Sequence, residues 1–142
     1  MTRDEIIASA EKYLAMKIPF LHQGRDPAIG LDCVGYVQAV ANDFHIPFDD
    51  MIGYGRAPHN SDFLRHLQKY TNPQPITANK HGLIGVFRQN VYPCHIGIFS
   101  VDADGTTWVL NARADQRKVV KNLWEPNDLV LVQLRSFPGM VE

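Results

Sequence analysis

The segment Pro19-Phe20-Leu21-His22-Gln23-Gly24-Arg25-Asp26-Pro27-Ala28-Ile29-Gly30-Leu31-Asp32-Cys33-Val34-Gly35 sets the fold's first landmark. Up to Gly30 it is dense in Pro, Gly and polar groups, which predicts an ordered loop. Beyond it, Val34, Val37, Val40, Ala41 and Phe44 fall on one stripe at helical spacing, predicting a helix from about Asp32 to Phe44. A cysteine thus occupies the first turn of a helix, where unpaired N–H groups and the positive end of the helix dipole favour a thiolate. The same N–H groups suit the oxyanion that forms in acyl transfer. Gly35 removes a side chain where a substrate or another element can come close.

Upstream, Thr2-x-x-Glu5 is a capping-box signature, followed by Ile6, Ile7, Ala10, Tyr13 and Leu14 at helical spacing until Pro19. Downstream, Phe63, Leu64, Leu67 and Tyr70 mark a short helix from about Ser61 to Tyr70, closed by Asn72-Pro73. The second half reads as strands: Leu83 to Arg88, His95 to Val101, Thr107 to Arg113, Lys118 to Lys121 and Leu129 to Arg135. Helices first and closely spaced strands after predict an α+β fold, with N-terminal helices packed on a mainly antiparallel five-stranded sheet.

A nucleophilic thiol needs a base, which can lie far away in sequence. His95 opens the strand His95-Ile96-Gly97-Ile98-Phe99, with Gly97 leaving a gap on its face. Asn111, on the next strand, has a side-chain carbonyl able to hold the imidazole by its other nitrogen. Cys33, His95 and Asn111 follow the chain order of papain-like sites. The bland alternatives are a small apolar filler at Cys33, a core histidine at His95 and a polar strand residue at Asn111. Cys94 points opposite to His95 by strand alternation and reads as a buried thiol. His22, Gln23 and Arg25 fit two roles equally: lining the cleft to bind a carboxylate, or pinning the loop. Arg113, Arg117, Lys118 and Lys121 read as a solvated strand face, and Trp108 and Trp124 as core.

Composition bounds the rest. The 142 residues predict one domain, residues 1–142, and 45% hydrophobic against 20% charged residues excludes a disordered chain. Fourteen Lys and Arg against fifteen Asp and Glu leave a formal charge of −1, without the basic footprint of a nucleic-acid binder. No apolar run approaches a membrane span. Two cysteines make no disulfide framework, and the N-terminus lacks the layout of a secretory signal, so synthesis in the cytoplasm without a cleaved leader is expected. His45, His59, His66 and His81 lack metal-ligand spacing, so neither a metal nor another cofactor is expected.

The loop Pro19-Phe20-Leu21-His22-Gln23-Gly24-Arg25, the helix start Gly30-Leu31-Asp32-Cys33-Val34-Gly35 and the strand His95-Ile96-Gly97-Ile98 together resemble the NlpC/P60 cysteine peptidases. The loop is most similar to the phage tail-associated branch of cell-wall peptidases. The resemblance implies a papain-like fold and a peptidase acting on peptidoglycan stem peptides, at the bond between D-glutamate and a diamino acid. Cys33 matches the nucleophile, His95 the base, Asn111 the third polar residue (often a second His), and Asp32 the acidic residue that holds the substrate's amino end. Phe20, His22, Gln23 and Arg25 would contact substrate. Other phage tail proteins are the partners implied, with a place on the virion or at the cell wall. Three positions depart from the family pattern: Phe20 stands for Tyr, Val34 for a frequent Ser, and Leu83 for Asp in the pair after Gly82. Two rivals stand beside this reading: an acyltransferase or amidase on the same fold, and a non-catalytic structural or binding module of a tail.

Overall fold

The computed structural model describes residues 1–48, 62–89 and 92–142. Thr2 caps helix α1 (Arg3–Ala15) in both directions: its Oγ1 accepts the Glu5 N–H at 3.1 Å, and its own N–H donates to the Glu5 carboxylate at 2.9 Å. The helix stops short of Pro19 because Lys17 turns into the left-handed region, with φ of 55°. Ile18 then lies against the sheet, its carbonyl accepting the Val119 N–H at 2.9 Å.

The loop expected before Cys33 contains a small antiparallel hairpin, β1 (Arg25–Asp26) and β2 (Gly30–Leu31). Asp26 closes its tip, taking the Ala28 N–H on its carboxylate and the Ile29 N–H on its carbonyl, both at 2.9 Å. Helix α2 (Cys33–Asp43) follows. The fully buried Tyr36 donates its hydroxyl to the Ala10 carbonyl at 2.8 Å, and Asp43 accepts Ser9, Lys12 and Tyr13 of α1. Burial pushes the Asp43 carboxyl up, but those three donors outweigh it and hold the group below its usual range. Helix α3 (Asp62–Tyr70) covers the expected third helix; Ser61 lies outside the described residues.

The remaining strands are β3 (Asn72–Gln74), β4 (Ile84–Gln89), β5 (Tyr92–Val101), β6 (Thr107–Arg113), β7 (Lys118–Leu123) and β8 (Val130–Ser136). They form one sheet in the order β3-β8-β4-β5-β6-β7, every pair antiparallel. All five expected strands are present, but among the described residues the sheet has six. The extra strand, β3, carries Asn72-Pro73, which reads as a helix stop. Proline lacks the N–H of an interior ladder, and here it sits on an edge strand that needs none on its outer side. The buried Arg135 of β8 caps α3 from the sheet, donating Nη2 to the carbonyls of Gln68 and Thr71 at 3.2 and 2.8 Å.

Alternation splits the core in two. Ile84, Val86, Ile96, Ile98, Leu110, Ala112 and Val119 pack with α1 and α2 on one face. Leu83, Phe87, Phe99, Val109, Leu129 and Leu134 form a second cluster on the other, with Phe99 edge-on to Trp124 at 5.2 Å. Val34 and Leu83, two departures from the family pattern, are buried in these clusters, and Phe20 packs against the first.

The hairpin meets α2 through two glycines. A Cβ on Gly24 would stand 2.3 Å from the Gly30 carbonyl oxygen, and one on Gly35 would stand 2.0 Å from the Gly24 carbonyl oxygen. Gly35 therefore makes room for another element, the hairpin. Gly35→Ala should lower stability by at least about 2 kcal/mol, seen as a lower urea midpoint, because the obstacle is backbone. An unchanged midpoint would mean that the hairpin does not press on the helix.

Candidate active site

Asp32 organises the first half of the site. It is the N-cap of α2 and only 3% exposed. Its Oδ1 accepts the Gly35 N–H and Arg25 Nη1, both at 2.8 Å, and its Oδ2 accepts the Gln23 N–H at 3.0 Å. Gln23 reaches that position through a left-handed φ of 59°, inside a turn that Gly24 closes onto the Leu21 carbonyl at 2.8 Å. Half-buried His22 lies in the same turn. Arg25 also donates to the Gly24 carbonyl at 3.0 Å. Gln23 by its backbone and Arg25 by its side chain thus hold the loop against the helix start.

Cys33 is the first residue of α2 and is half-buried against the helix-side core. A carboxylate next to a thiol opposes thiolate formation; the Arg25 guanidinium on Asp32 offsets that charge. The helix's N-terminal dipole then acts on the sulfur.

The second half lies on the sheet. His95 Nε2 and Asn111 Oδ1 are 2.7 Å apart. Asn111 Nδ2 faces three acceptors: the carbonyls of Val109 and Val120 at 3.2 and 3.3 Å, and Asn122 Oδ1 at 3.3 Å. An NH2 facing oxygens leaves Oδ1 to face the ring, so His95 Nε2 carries the hydrogen and Nδ1 holds the lone pair. Gly97 permits this arrangement. A Cβ there would come within 2.7 Å of Val109 Cγ1 and 3.1 Å of Asn111 Cβ.

His95 is buried, its ring 6.1 Å from that of Phe87. Burial is the main reason its pKa falls to about 4; the Asn111 bond raises it, Arg113 lowers it, and Asp115 and Asp128 raise it. Arg113 is buried as well, gripping Asp115 through Nε and Nη2 at 3.0 Å each. It is therefore not part of the solvated face expected from its basic neighbours.

Backbone contacts bring the α2 tip and His95 to one end of the sheet. Leu31 N–H donates to the Pro19 carbonyl at 3.1 Å, Pro19 bridges Lys118, and Lys118 pairs with Arg113 at the end of β6. That is the end where β5 passes through His95. The two halves come to it from different faces: Cys33 with the helix-side core, His95 and Asn111 with the opposite face. Among the described residues, Asn111 is the ring's hydrogen-bond partner. The side chain of Cys94, and His59, lie outside the described residues.

Sequence reading singled out neither Asn122 nor Gln116, which extend the polar row beyond Asn111. The available signal was weak: one polar residue at an inward position of the strand Lys118-Val119-Val120-Lys121-Asn122-Leu123.

The α+β architecture is that of the papain-like NlpC/p60 domains. The chain is similar to the crystal structure of the NlpC/p60 domain of the peptidoglycan hydrolase SagA, with a TM-score of 0.67 and 17% identity, across 96% of this chain and 100% of that one. No protein-family model matches the sequence, and no curated protein matches it.

A histidine whose folded pKa lies below its unfolded value near 6.5 contributes its full stability above that value, and loses it as pH falls through 6.5 towards 4. Each pKa unit is 1.36 kcal/mol, so the His95 contribution lost over that window is about 3 kcal/mol. Urea unfolding of wild type and His95→Gln between pH 7 and 4 should show the variant losing less stability on acidification. Parallel losses would contradict a buried, neutral ring.

Proposed function

We propose that the chain is a cysteine peptidase of the NlpC/P60 kind that hydrolyses peptidoglycan stem peptides, with Cys33 as nucleophile, His95 as base and Asn111 as the residue that orients the base. The observation that carries this reading is the 2.7 Å bond between His95 Nε2 and Asn111 Oδ1, which leaves Nδ1 as a proton acceptor. The likeness to a peptidoglycan hydrolase domain supports the substrate class. By the same resemblance, the bond cut is the one between D-glutamate and a diamino acid. Asp32 receives the substrate's amino end, Phe20, His22, Gln23 and Arg25 border the cleft, and the protein works on a phage tail or at the cell wall.

In the proposed reaction the Cys33 thiol transfers its proton to Nδ1 as sulfur attacks the peptide carbonyl. N–H groups at the start of α2 stabilise the tetrahedral oxyanion. His95 then protonates the departing amine, and water hydrolyses the thioester to release the acid and free the thiol. Its low pKa makes His95 a base at pH 7 rather than a resting imidazolium. The chemistry requires no metal or organic cofactor.

Mass spectrometry of purified wall peptides incubated with wild type and with Cys33→Ala should show cleavage by the first alone. Thioester formation without cleavage would favour the acyltransferase reading; equal inactivity of both proteins would favour a binding module. Iodoacetamide alkylation of Cys33 should accelerate at a pH below the free-thiol value of about 8.5, and His95→Gln should move that inflection upward. Asn111→Ala should lower kcat about tenfold or more with the fold intact by circular dichroism, because the ring then loses its fixed tautomer.

A further inference from the structure

The polar row on the face opposite the helices does not end at Asn111. Asn122 of β7 accepts Asn111 Nδ2 on its Oδ1 at 3.3 Å and donates its own Nδ2 to Gln116 Oε1 at 3.2 Å. His95, Asn111 and Asn122 stand on three neighbouring strands, and Gln116 closes the row from the turn between β6 and β7. Every donor in the row points away from His95, and every acceptor points towards it.

We infer that Asn122 is a positioning residue for His95: through Asn111 it strengthens the bond that holds the Nε2–H and so makes Nδ1 more basic. The physical route is polarisation. An amide whose NH2 donates to a further acceptor has a more negative carbonyl oxygen, so its bond to the Nε2–H is stronger and Nδ1 is more basic. The Val109 and Val120 carbonyls fix the polarity of Asn111, and no substitution at Asn122 removes them. Asn122 supplies the remaining acceptor, and it is the one that a side-chain change can alter. It sits half-buried on the outer strand β7, where a smaller residue leaves the clusters untouched. The other charged groups acting on the ring, Arg113, Asp115 and Asp128, lie outside this row and are common to every variant below.

The inference rests on His95 being the base of the proposed reaction, but its primary test needs no substrate. Nitrogen-15 NMR of labelled wild type should show His95 in the Nε2–H form. Asn122→Asp places a carboxylate behind Asn111 and should raise the His95 pKa; Asn122→Ala should lower it while the Nε2–H form persists. Gln116→Ala, in the exposed turn, should act in the same direction as Asn122→Ala and more weakly. Where wall peptides are cleaved, Asn122→Ala should lower kcat about three- to tenfold with KM unchanged, the size expected for one hydrogen bond. Identical His95 spectra and titrations in wild type, Asn122→Ala and Asn122→Asp would overturn the inference. Absence of cleavage with the expected spectra would overturn the peptidase reading alone and leave the positioning role standing.

Discussion

A buried carboxylate is costly unless donors surround it, and Asp32 meets that constraint with two backbone N–H groups and a guanidinium. The donors come from three separate places: the first turn of α2, the left-handed residue Gln23 and the hairpin residue Arg25. Displacing any one of them takes a donor from a buried charge. The hairpin is thus locked onto the helix start, the gap between Gly24 and Gly35 is closed, and Cys33 is held at the helix tip. The same carboxylate caps the helix, so the residue that starts α2 also ties down the loop before it.

The sheet solves a different problem. A histidine inside a packed core must be held neutral and in one tautomer, and both needs are met by neighbours on its own face. Phe87 and the surrounding core remove water, which drives the ring towards its neutral form. Gly97 lets Asn111 lie across the strand and present oxygen to Nε2. The acidic pair Asp115 and Asp128 works against burial, and Arg113 works with it, so this buried arginine also bears on the chemistry of the ring.

The parts of the fold that show in the sequence have strong local signals. The capping box at Thr2 and the stripe from Val34 to Phe44 mark two helices, and the alternating or apolar runs mark five strands. The sixth strand was hidden because Pro73 serves two readings, a helix stop and an edge-strand residue, and only tertiary pairing with β8 decides between them. The hairpin at Arg25 was hidden because its pairing spans two residues a side, too short for a period. At the site, Asn111 was legible through its place on the strand after His95. Asn122 was not, because its contact with Asn111 is a diagonal one across β6 and β7, set by a register the sequence does not print. Arg113 misled because charge along a strand looks the same whether the side chain is solvated or buried against an exposed acid.

By the sequence resemblance, Asn111 takes the place of a frequent second histidine, and such an exchange would change the chemistry of the proposed site. An imidazole there can titrate and can turn either nitrogen to its neighbour, so its hold on the His95 ring would vary with pH. An amide cannot titrate. Its NH2 is shared among the Val109 and Val120 carbonyls and Asn122 Oδ1, acceptors that no change of pH releases, so its oxygen faces His95 throughout the working range. The response of this half of the site to pH then resides in His95 itself, and the orientation of the ring becomes a fixed property of the sheet.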